Sequence, residues 1–128
     1  MTNLREVYYC DICKNVVEIV HPGMPALVCC KQPMELLEEQ TAEMANEKHV
    51  PVVEEKDGGV LVTVGSTLHP MMEKHYIAFI EVLTKDMVHR AELEHTQEPK
   101  AFFNVKKSDI IQVREYCNLH GLWVQNKL

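Results

Sequence analysis

The chain of 128 residues has the length of one ordinary domain, or of one domain with a small module. Its 46% hydrophobic and 25% charged residues are typical of a globular protein with a core, which excludes a disordered chain. Thirteen Lys and Arg against nineteen Asp and Glu give a net charge of −6, which argues against binding to nucleic acid or an anionic membrane surface. Because no apolar run reaches ~18 residues and no secretory signal is visible, we expect a cytoplasmic protein.

The first segment, residues 1–37, contains four of the five cysteines, Cys10, Cys13, Cys29 and Cys30. It has too few apolar residues for a core of its own, and a module below ~40 residues usually needs a metal or disulfides to fold. In a reducing cytosol such a cluster favours metal ligation. A tetrahedral sulfur site suits zinc or iron, and the adjacent pair would distort it; a structural zinc knuckle or a disulfide pair remains an alternative.

The rest of the chain predicts a linker and then a β-domain. Residues 38–46 carry three acidic residues and no Lys or Arg, which predicts a linker or a short helical turn. From 47 to 128, short β-branched and aromatic runs alternate with turn residues, as in an antiparallel β-sandwich. The predicted strands are 50–55, 60–64, 76–83, 88–94, 101–106, 110–116 and 122–125. Along the fourth strand and the residue that precedes it, the pattern predicts that Met87, Ala91 and Leu93 face the core.

A second group of metal-binding residue types lies in this β-domain. His49, His69, His75 and His120 fall at predicted strand edges or turns, and Cys117 shares a loop with His120. Each histidine alone is more often a surface or core residue than a ligand, but together with an unpaired thiol they indicate a metal site. Four imidazoles and one thiolate supply five ligands and leave a sixth position open, which suits redox chemistry of a small molecule at iron.

Charged residues adjoin two of these histidines. Lys48 precedes His49 and Lys74 precedes His75. A lysine beside a metal would raise the local concentration of an anionic substrate near an acidic protein, although it could also belong to a solvated charged surface. Glu47 is either a reversible carboxylate ligand or a surface acid.

The motifs together resemble one family, the desulfoferrodoxins, which are two-iron superoxide reductases, over essentially the whole chain. They are Cys10-x-x-Cys13, Cys29-Cys30, Glu47-Lys48-His49, His69-Pro70, His75 and Cys117-Asn118-Leu119-His120-Gly121-Leu122-Trp123. The resemblance implies a mainly β chain with a small desulforedoxin-like iron module at 1–37 and a linker at 38–46. An immunoglobulin-like antiparallel β-sandwich with the mononuclear iron site would follow at 47–128.

The resemblance also implies the cofactors, the reaction and the partners. One iron would be held by the four cysteines of the module, and the catalytic iron by the four histidines in a plane with Cys117 axial. The catalytic iron would reduce superoxide by one electron to hydrogen peroxide without releasing dioxygen. Lys48 would attract superoxide, and Glu47 would occupy the open position once the iron is oxidised. A small electron-donor protein such as rubredoxin would restore the ferrous state, and a homodimer is expected.

Three other functions are compatible with parts of the pattern. The four-cysteine iron could make the chain a pure electron carrier, with the sandwich serving only to dock partners. A cupredoxin-like copper site is disfavoured, because it usually has a Met after the loop histidine and no Met follows His120. A zinc-stabilised interaction domain without chemistry is the third alternative.

Overall fold

The computed structural model describes residues 1–24, 26–41 and 49–128. Its backbone contacts divide the chain into two compact units, Met1–Glu38 and Glu39–Leu128, called here the N-terminal unit and the sandwich unit. Over the described residues the regular structure is twelve β-strands and one short 3-10 helix. None of the described helical structure has the length and apolar character needed to span a membrane. The predicted mainly β fold is confirmed.

The N-terminal unit is built from five short strands. They are β1 (Val7–Tyr9), β2 (Val16–Glu18), β3 (Val28–Cys29), β4 (Gln32–Pro33) and β5 (Glu35–Leu36). Strands β2, β1 and β5 form an antiparallel sheet in that order, and β3 and β4 form a separate hairpin. Val7 is buried, whereas Val20 and Met24 are 80% and 81% exposed. Such a small core needs a further source of stability, which a metal centre would supply.

The sandwich unit contains two antiparallel sheets. Its strands are β6 (Pro51–Lys56), β7 (Gly59–Val64), β8 (Ile77–Thr84), β9 (Val88–Glu92), β10 (Lys100–Phe103), β11 (Ile110–Cys117) and β12 (Gly121–Gln125). One sheet has the order β10-β7-β6 and the other the order β12-β11-β8-β9. The 3-10 helix, Lys107–Asp109, lies between β10 and β11. A small module followed by a β-sandwich is therefore the architecture, as the sequence predicted.

The core of the sandwich follows the two-residue period of its strands. Val60, Val62 and Val64 of β7 are fully buried, as are Ile80 and Val82 of β8. Alternate residues of a strand point to the same face, so each of these strands contributes a continuous apolar row to the core. Both rows belong to one cluster of buried side chains.

The pattern of the fourth predicted strand is only partly correct. Ala91 and Leu93 pack against the core as predicted. Met87 is 57% exposed, so its predicted burial is wrong. The reason is that β9 begins at Val88, which leaves Met87 in the turn, where strand alternation does not apply.

The start of the predicted linker is attached to the sandwich. Gln40 forms a parallel bridge to Trp123 of β12, and no helix is present over residues 38–41. The Gln40 N–H donates to the Leu122 carbonyl at 3.1 Å, and its carbonyl accepts from the Val124 N–H at 2.8 Å. The remainder of the predicted linker, residues 42–46, lies outside the described residues.

The strand registers bring several chain segments to one end of each sheet. Cys117, at the end of β11, pairs with Ile77 at the start of β8 and with Gly121 at the start of β12. In the other sheet, Pro51 at the start of β6 pairs with Val64 at the end of β7. The segments next to these strand ends carry the histidines identified in the sequence.

Candidate metal centres

The sandwich unit brings together all five residues of the predicted His/Cys group. Cys117 ends β11, His120 lies in the turn before β12, and His49 precedes β6. His69 and His75 lie in the segment between β7 and β8. The five candidate donor atoms all lie within 4.8 Å of one another. His69 and Cys117 are buried while His120 is exposed, so the group is reachable from solvent on one side.

The four imidazole rings of this group form a closed cycle of contacts. The centroid distances are 4.9 Å for His49–His69, 4.8 Å for His69–His75, 5.0 Å for His75–His120 and 4.8 Å for His120–His49. Adjacent ring planes meet at 69° to 81°. In such a cycle, one nitrogen of every ring can face a common centre.

The distances within the group suit a bound transition-metal ion. His49 Nε2 and His120 Nδ1 are 3.1 Å apart, and two nitrogens bound at right angles to one ion are about 3 Å apart, given metal–nitrogen bonds of ~2.1 Å. Cys117 Sγ lies 3.7 Å from His120 Nδ1. His69 donates from Nδ1 to the Pro70 carbonyl at 2.6 Å, and its buried Nε2 has no hydrogen-bond partner. That Nε2 lone pair is therefore available to a metal.

Burial keeps His69 in its metal-binding form. The pKa of His69 is lowered to about 4, mainly by desolvation and also by the neighbouring His49, His75 and His120, while the hydrogen bond to the Pro70 carbonyl opposes the shift. Its imidazole is consequently neutral near pH 7. A neutral imidazole is the species that binds a metal ion.

The surroundings of Cys117 shift the pKa of its thiol in opposite directions. Burial raises the pKa of its thiol, hydrogen bonds from the backbone N–H groups of Leu119 and His120 lower it, and the negative charge of Glu115 raises it. The balance lies above the ordinary value, so the thiol of the metal-free protein retains its proton at neutral pH. A bound cation would stabilise the thiolate and displace that proton.

Two side chains support the histidines in ways the sequence did not suggest. Trp123 stacks on His49, and its Nε1 donates to the His120 carbonyl at 3.1 Å. Gln40 Nε2 donates to the same carbonyl at 2.8 Å. Trp123 belongs to the motif around Cys117, but Gln40 is 80 residues from His120 and no spacing or periodicity indicated their contact.

The N-terminal unit gathers the four predicted cysteines, whose candidate donor atoms also lie within 4.8 Å of one another. Cys13 and Cys29 sulfurs are 3.5 Å apart, and those of Cys29 and Cys30 are 4.0 Å apart. Sulfurs bound tetrahedrally at ~2.3 Å are about 3.8 Å apart, so these distances suit one ion. All of these cysteines are free in the structure, which favours the predicted metal site over the alternative of a disulfide pair.

Three thiols of this group have pKa values that differ from the ordinary value. A hydrogen bond from the Cys13 backbone lowers the pKa of Cys10 to about 7. The Cys13 side chain raises the pKa of Cys30 to about 12, and also raises that of Cys29. Cys10 therefore ionises more readily than Cys29 or Cys30, and its negative charge opposes their ionisation. Several thiolates can coexist only when a cation neutralises them, as in a metal centre.

The other residues singled out in the sequence are not members of these two groups as the structure describes them. Glu47 and Lys48 are outside the described residues. Lys74 is exposed and adjoins His75, and its carbonyl accepts a hydrogen bond from Asn118. The remaining histidines, His21, His89 and His95, belong to neither group.

The chain matches two family models over nearly its whole length. One, described as Desulfoferrodoxin, N-terminal domain, covers residues 2–37, and the other, Desulfoferrodoxin, covers residues 41–126. A desulfoferrodoxin homolog of Archaeoglobus fulgidus is 52% identical over 123 residues, covering 96% of this chain and 98% of that protein. A superoxide reductase of Pyrococcus abyssi is 34% identical over 102 residues, covering 66% of this chain and 89% of that protein.

The structural comparison agrees with these matches. The crystal structure of the superoxide reductase from Treponema pallidum superposes with a TM-score of 0.78 at 27% identity, covering 94% of this chain and 96% of that one. The two candidate metal centres of this chain are consistent with iron binding in such a protein. The chain belongs to the desulfoferrodoxin family.

Proposed function

We propose that this chain is a superoxide reductase: superoxide takes up one electron and two protons to give hydrogen peroxide, and no dioxygen is released. The observation that carries the proposal is the cluster of four imidazoles and one thiol within 4.8 Å in the sandwich unit. Relatives and structural neighbours named as superoxide reductases support it.

The proposed ligands of the catalytic iron are His49, His69, His75, His120 and Cys117. When bound there, ferrous iron supplies the electron for the reduction. Five donors exceed the four of an ordinary structural zinc site, and four imidazoles exceed the two of a blue-copper site. The donor set therefore favours iron over the zinc and copper alternatives, and leaves one position of six for a small substrate.

The residues around this group would control access and charge. Buried His69 and Cys117 exclude water from the inner side, whereas exposed His120 borders the side open to a small anion. In an acidic protein that anion needs local positive charge, and we assign this role to Lys48. Glu47 is proposed to occupy the substrate position after the iron is oxidised. Both roles are predictions from the sequence.

The second centre would hold another iron in Cys10, Cys13, Cys29 and Cys30, giving two irons per chain. A small donor protein such as rubredoxin is proposed to return the electrons in the cytoplasm. We further propose a homodimer, which the exposed apolar side chains of Val20, Met24 and Val28 in the N-terminal unit support, because a second copy would cover apolar surface that is costly to hydrate.

The experiment that tests the proposal compares variants of the two centres. The iron-loaded, reduced protein receives a known amount of superoxide without air, and iron oxidation and peroxide are measured. We expect His75→Ala to abolish peroxide formation beyond the spontaneous background. The matched Cys13→Ser variant should retain single-turnover activity, since it changes only the four-cysteine group.

The opposite result would favour the electron-carrier alternative. If His75→Ala behaves as the unmodified protein while Cys13→Ser loses all reactivity, the four-cysteine centre performs the chemistry. The proposed reductase function would then be wrong.

A further inference from the structure

The side-chain amide of Asn118 joins the two segments that carry Cys117 and His75. Its Oδ1 accepts a hydrogen bond from the backbone N–H of Tyr76 at 2.8 Å. Its Nδ2 donates to the backbone carbonyl of Lys74 at 3.0 Å. Both ends of one amide are thus bound to the peptide groups on either side of His75.

Near His75 the regular backbone pairing between β8 and β11 comes to an end. The β8–β11 register shifts between Tyr116 and Cys117, so the regular ladder is interrupted there. One backbone bond continues beyond it, from the Asn118 N–H to the Tyr76 carbonyl at 3.2 Å. His75 itself forms a reciprocal pair of backbone bonds with Met72, at 2.9 and 3.1 Å, which closes a tight turn. The Asn118 side chain attaches this turn to the Cys117 loop.

We propose that Asn118 is a positioning residue that fixes His75 relative to Cys117, so that both donors meet one metal ion. This inference rests on the proposed function, because it takes both residues as ligands. A metal site requires its ligands to be held within ~0.5 Å of their binding positions by neighbouring hydrogen bonds. Without the amide, the 72–75 turn would have to be ordered by the metal itself, which reduces the affinity.

Two substitutions distinguish the contributions of the two hydrogen bonds that the Asn118 amide makes. Asn118→Ala removes both side-chain hydrogen bonds. Asn118→Asp keeps an oxygen that can accept from the Tyr76 N–H, but a carboxylate cannot donate to the Lys74 carbonyl. The added negative charge would by itself strengthen cation binding, so a weaker affinity in this variant reports the lost hydrogen bond.

The control is Asn126→Ala. Asn126 is exposed, and its amide oxygen accepts from Gln112 Nε2 at 2.9 Å. Gln112 is five positions before Cys117 on β11, which places this pair about 16 Å from the site, at ~3.3 Å per residue. The control thus removes a comparable side-chain hydrogen bond away from both metal groups.

The test titrates each metal-free full-length variant with Co²⁺ against a competing chelator, without air. Absorption distinguishes the four-thiolate group from the mixed His/Cys group, so the former is an internal reference. We expect Asn118→Ala to weaken Co²⁺ binding at the His/Cys group about 10- to 100-fold and Asn118→Asp to weaken it less. The thiolate charge-transfer band of Co²⁺ at this group should shift in both variants. Asn126→Ala should match the unmodified protein.

Three results would overturn the inference. The first is that Asn118→Ala binds Co²⁺ at the His/Cys group as tightly as the unmodified protein. The second is that it loses affinity equally at both metal groups. The third is that the midpoint of thermal unfolding of the metal-free Asn118→Ala variant falls enough to explain its weaker binding of Co²⁺. If Asn118→Ala does not fold, the smaller change Asn118→Asp decides the question by the same criteria. Failure of the unmodified protein to bind any ion at this group would instead contradict the proposed function.

Discussion

The indole ring of Trp123 lies parallel to the imidazole ring of His49, with ring centroids 4.7 Å apart and ring planes at 18°. Its Nε1 donates a hydrogen bond to the His120 carbonyl, and only 9% of the residue is exposed. The Trp123 side chain therefore contacts two of the four clustered histidines. It packs on the imidazole ring of His49 and is hydrogen-bonded to the backbone of His120. This arrangement links the packing of the sandwich to the shape of the candidate iron site.

Replacement of Trp123 should separate stacking from hydrogen bonding. Trp123→Ala removes a large buried ring and should lower the free energy of unfolding by about 3–5 kcal/mol. Trp123→Phe retains a ring beside His49 but loses the bond to His120, at a cost of the order of 1 kcal/mol for that bond. Urea denaturation followed by circular dichroism measures both. Equal, small losses in the two variants would contradict a stacking role.

A buried charge cluster crosses the four-stranded sheet. The Glu81 carboxylate accepts from Arg114 Nε at 2.6 Å and from Arg90 Nε at 2.8 Å, and the Glu81 side chain is 0% exposed. Glu81→Gln should lower the free energy of unfolding by about 3–5 kcal/mol, because it removes the negative charge from a buried ion pair. Fluorescence of Trp123, the single tryptophan, follows unfolding of the sandwich unit.

An exposed ion pair provides the control for this cluster. Lys100 Nζ lies 2.8 Å from Glu98, and the two side chains are 46% and 68% exposed. Lys100→Ala should change the free energy of unfolding by less than about 1 kcal/mol, because water screens such a pair. Losses of the same size in Glu81→Gln and Lys100→Ala would show that burial of the cluster has no energetic consequence.

The metal-free protein should become less stable in mild acid because of His69. Its pKa is about 4 when folded, compared with an ordinary value of 6.5. Between these values the unfolded chain binds a proton that the folded chain does not, so the free energy of unfolding falls as pH decreases from about 6.5 to about 4. Below that range His69 makes no further difference. In His69→Gln the free energy of unfolding should depend less on pH over this range. If the variant and the unmodified protein show the same pH dependence, the role of His69 is contradicted.

Lys48 should accelerate the reaction with superoxide by electrostatic attraction. Lys48→Ala is expected to slow the second-order reaction about tenfold at low salt and to weaken its dependence on ionic strength. Lys85→Ala is the matched control, since it removes the same charge from the exposed turn after β8, at the opposite end of that strand from Ile77. Equal rates for Lys48→Ala and the unmodified protein at low salt would exclude the steering role.

The sequence was most informative where functional residues lie close together in the chain. The pairs Cys10–Cys13 and Cys29–Cys30, and the Cys117–His120 loop, predicted metal-binding groups directly from spacing. The strands of the sandwich were visible in the same way, because a two-residue apolar period identifies a strand half-buried against a core. The burial of Met87 was predicted wrongly because Met87 is the last residue of the turn, one position before β9 begins.

Contacts between distant residues were not predictable from spacing. His49 and His69 come together with His120 only through the pairing of strands. Their residue types indicated a metal site, but which of them bind one ion was expected from the family resemblance. The bond from Gln40 to the His120 carbonyl and the bonds of Asn118 to the peptides around His75 leave no periodic signal. Glu81 lies in an apolar strand, and its burial between two arginines depends on register.

The central claim is best tested by counting products. The reduced, iron-loaded protein is mixed without air with a known amount of superoxide, below the amount of reduced iron, and peroxide and dioxygen are measured together. The account predicts one peroxide per superoxide, no dioxygen, and oxidation of the iron in the His/Cys group. Half as much peroxide, accompanied by dioxygen and no net oxidation of iron, would mean dismutation and would contradict the proposed function.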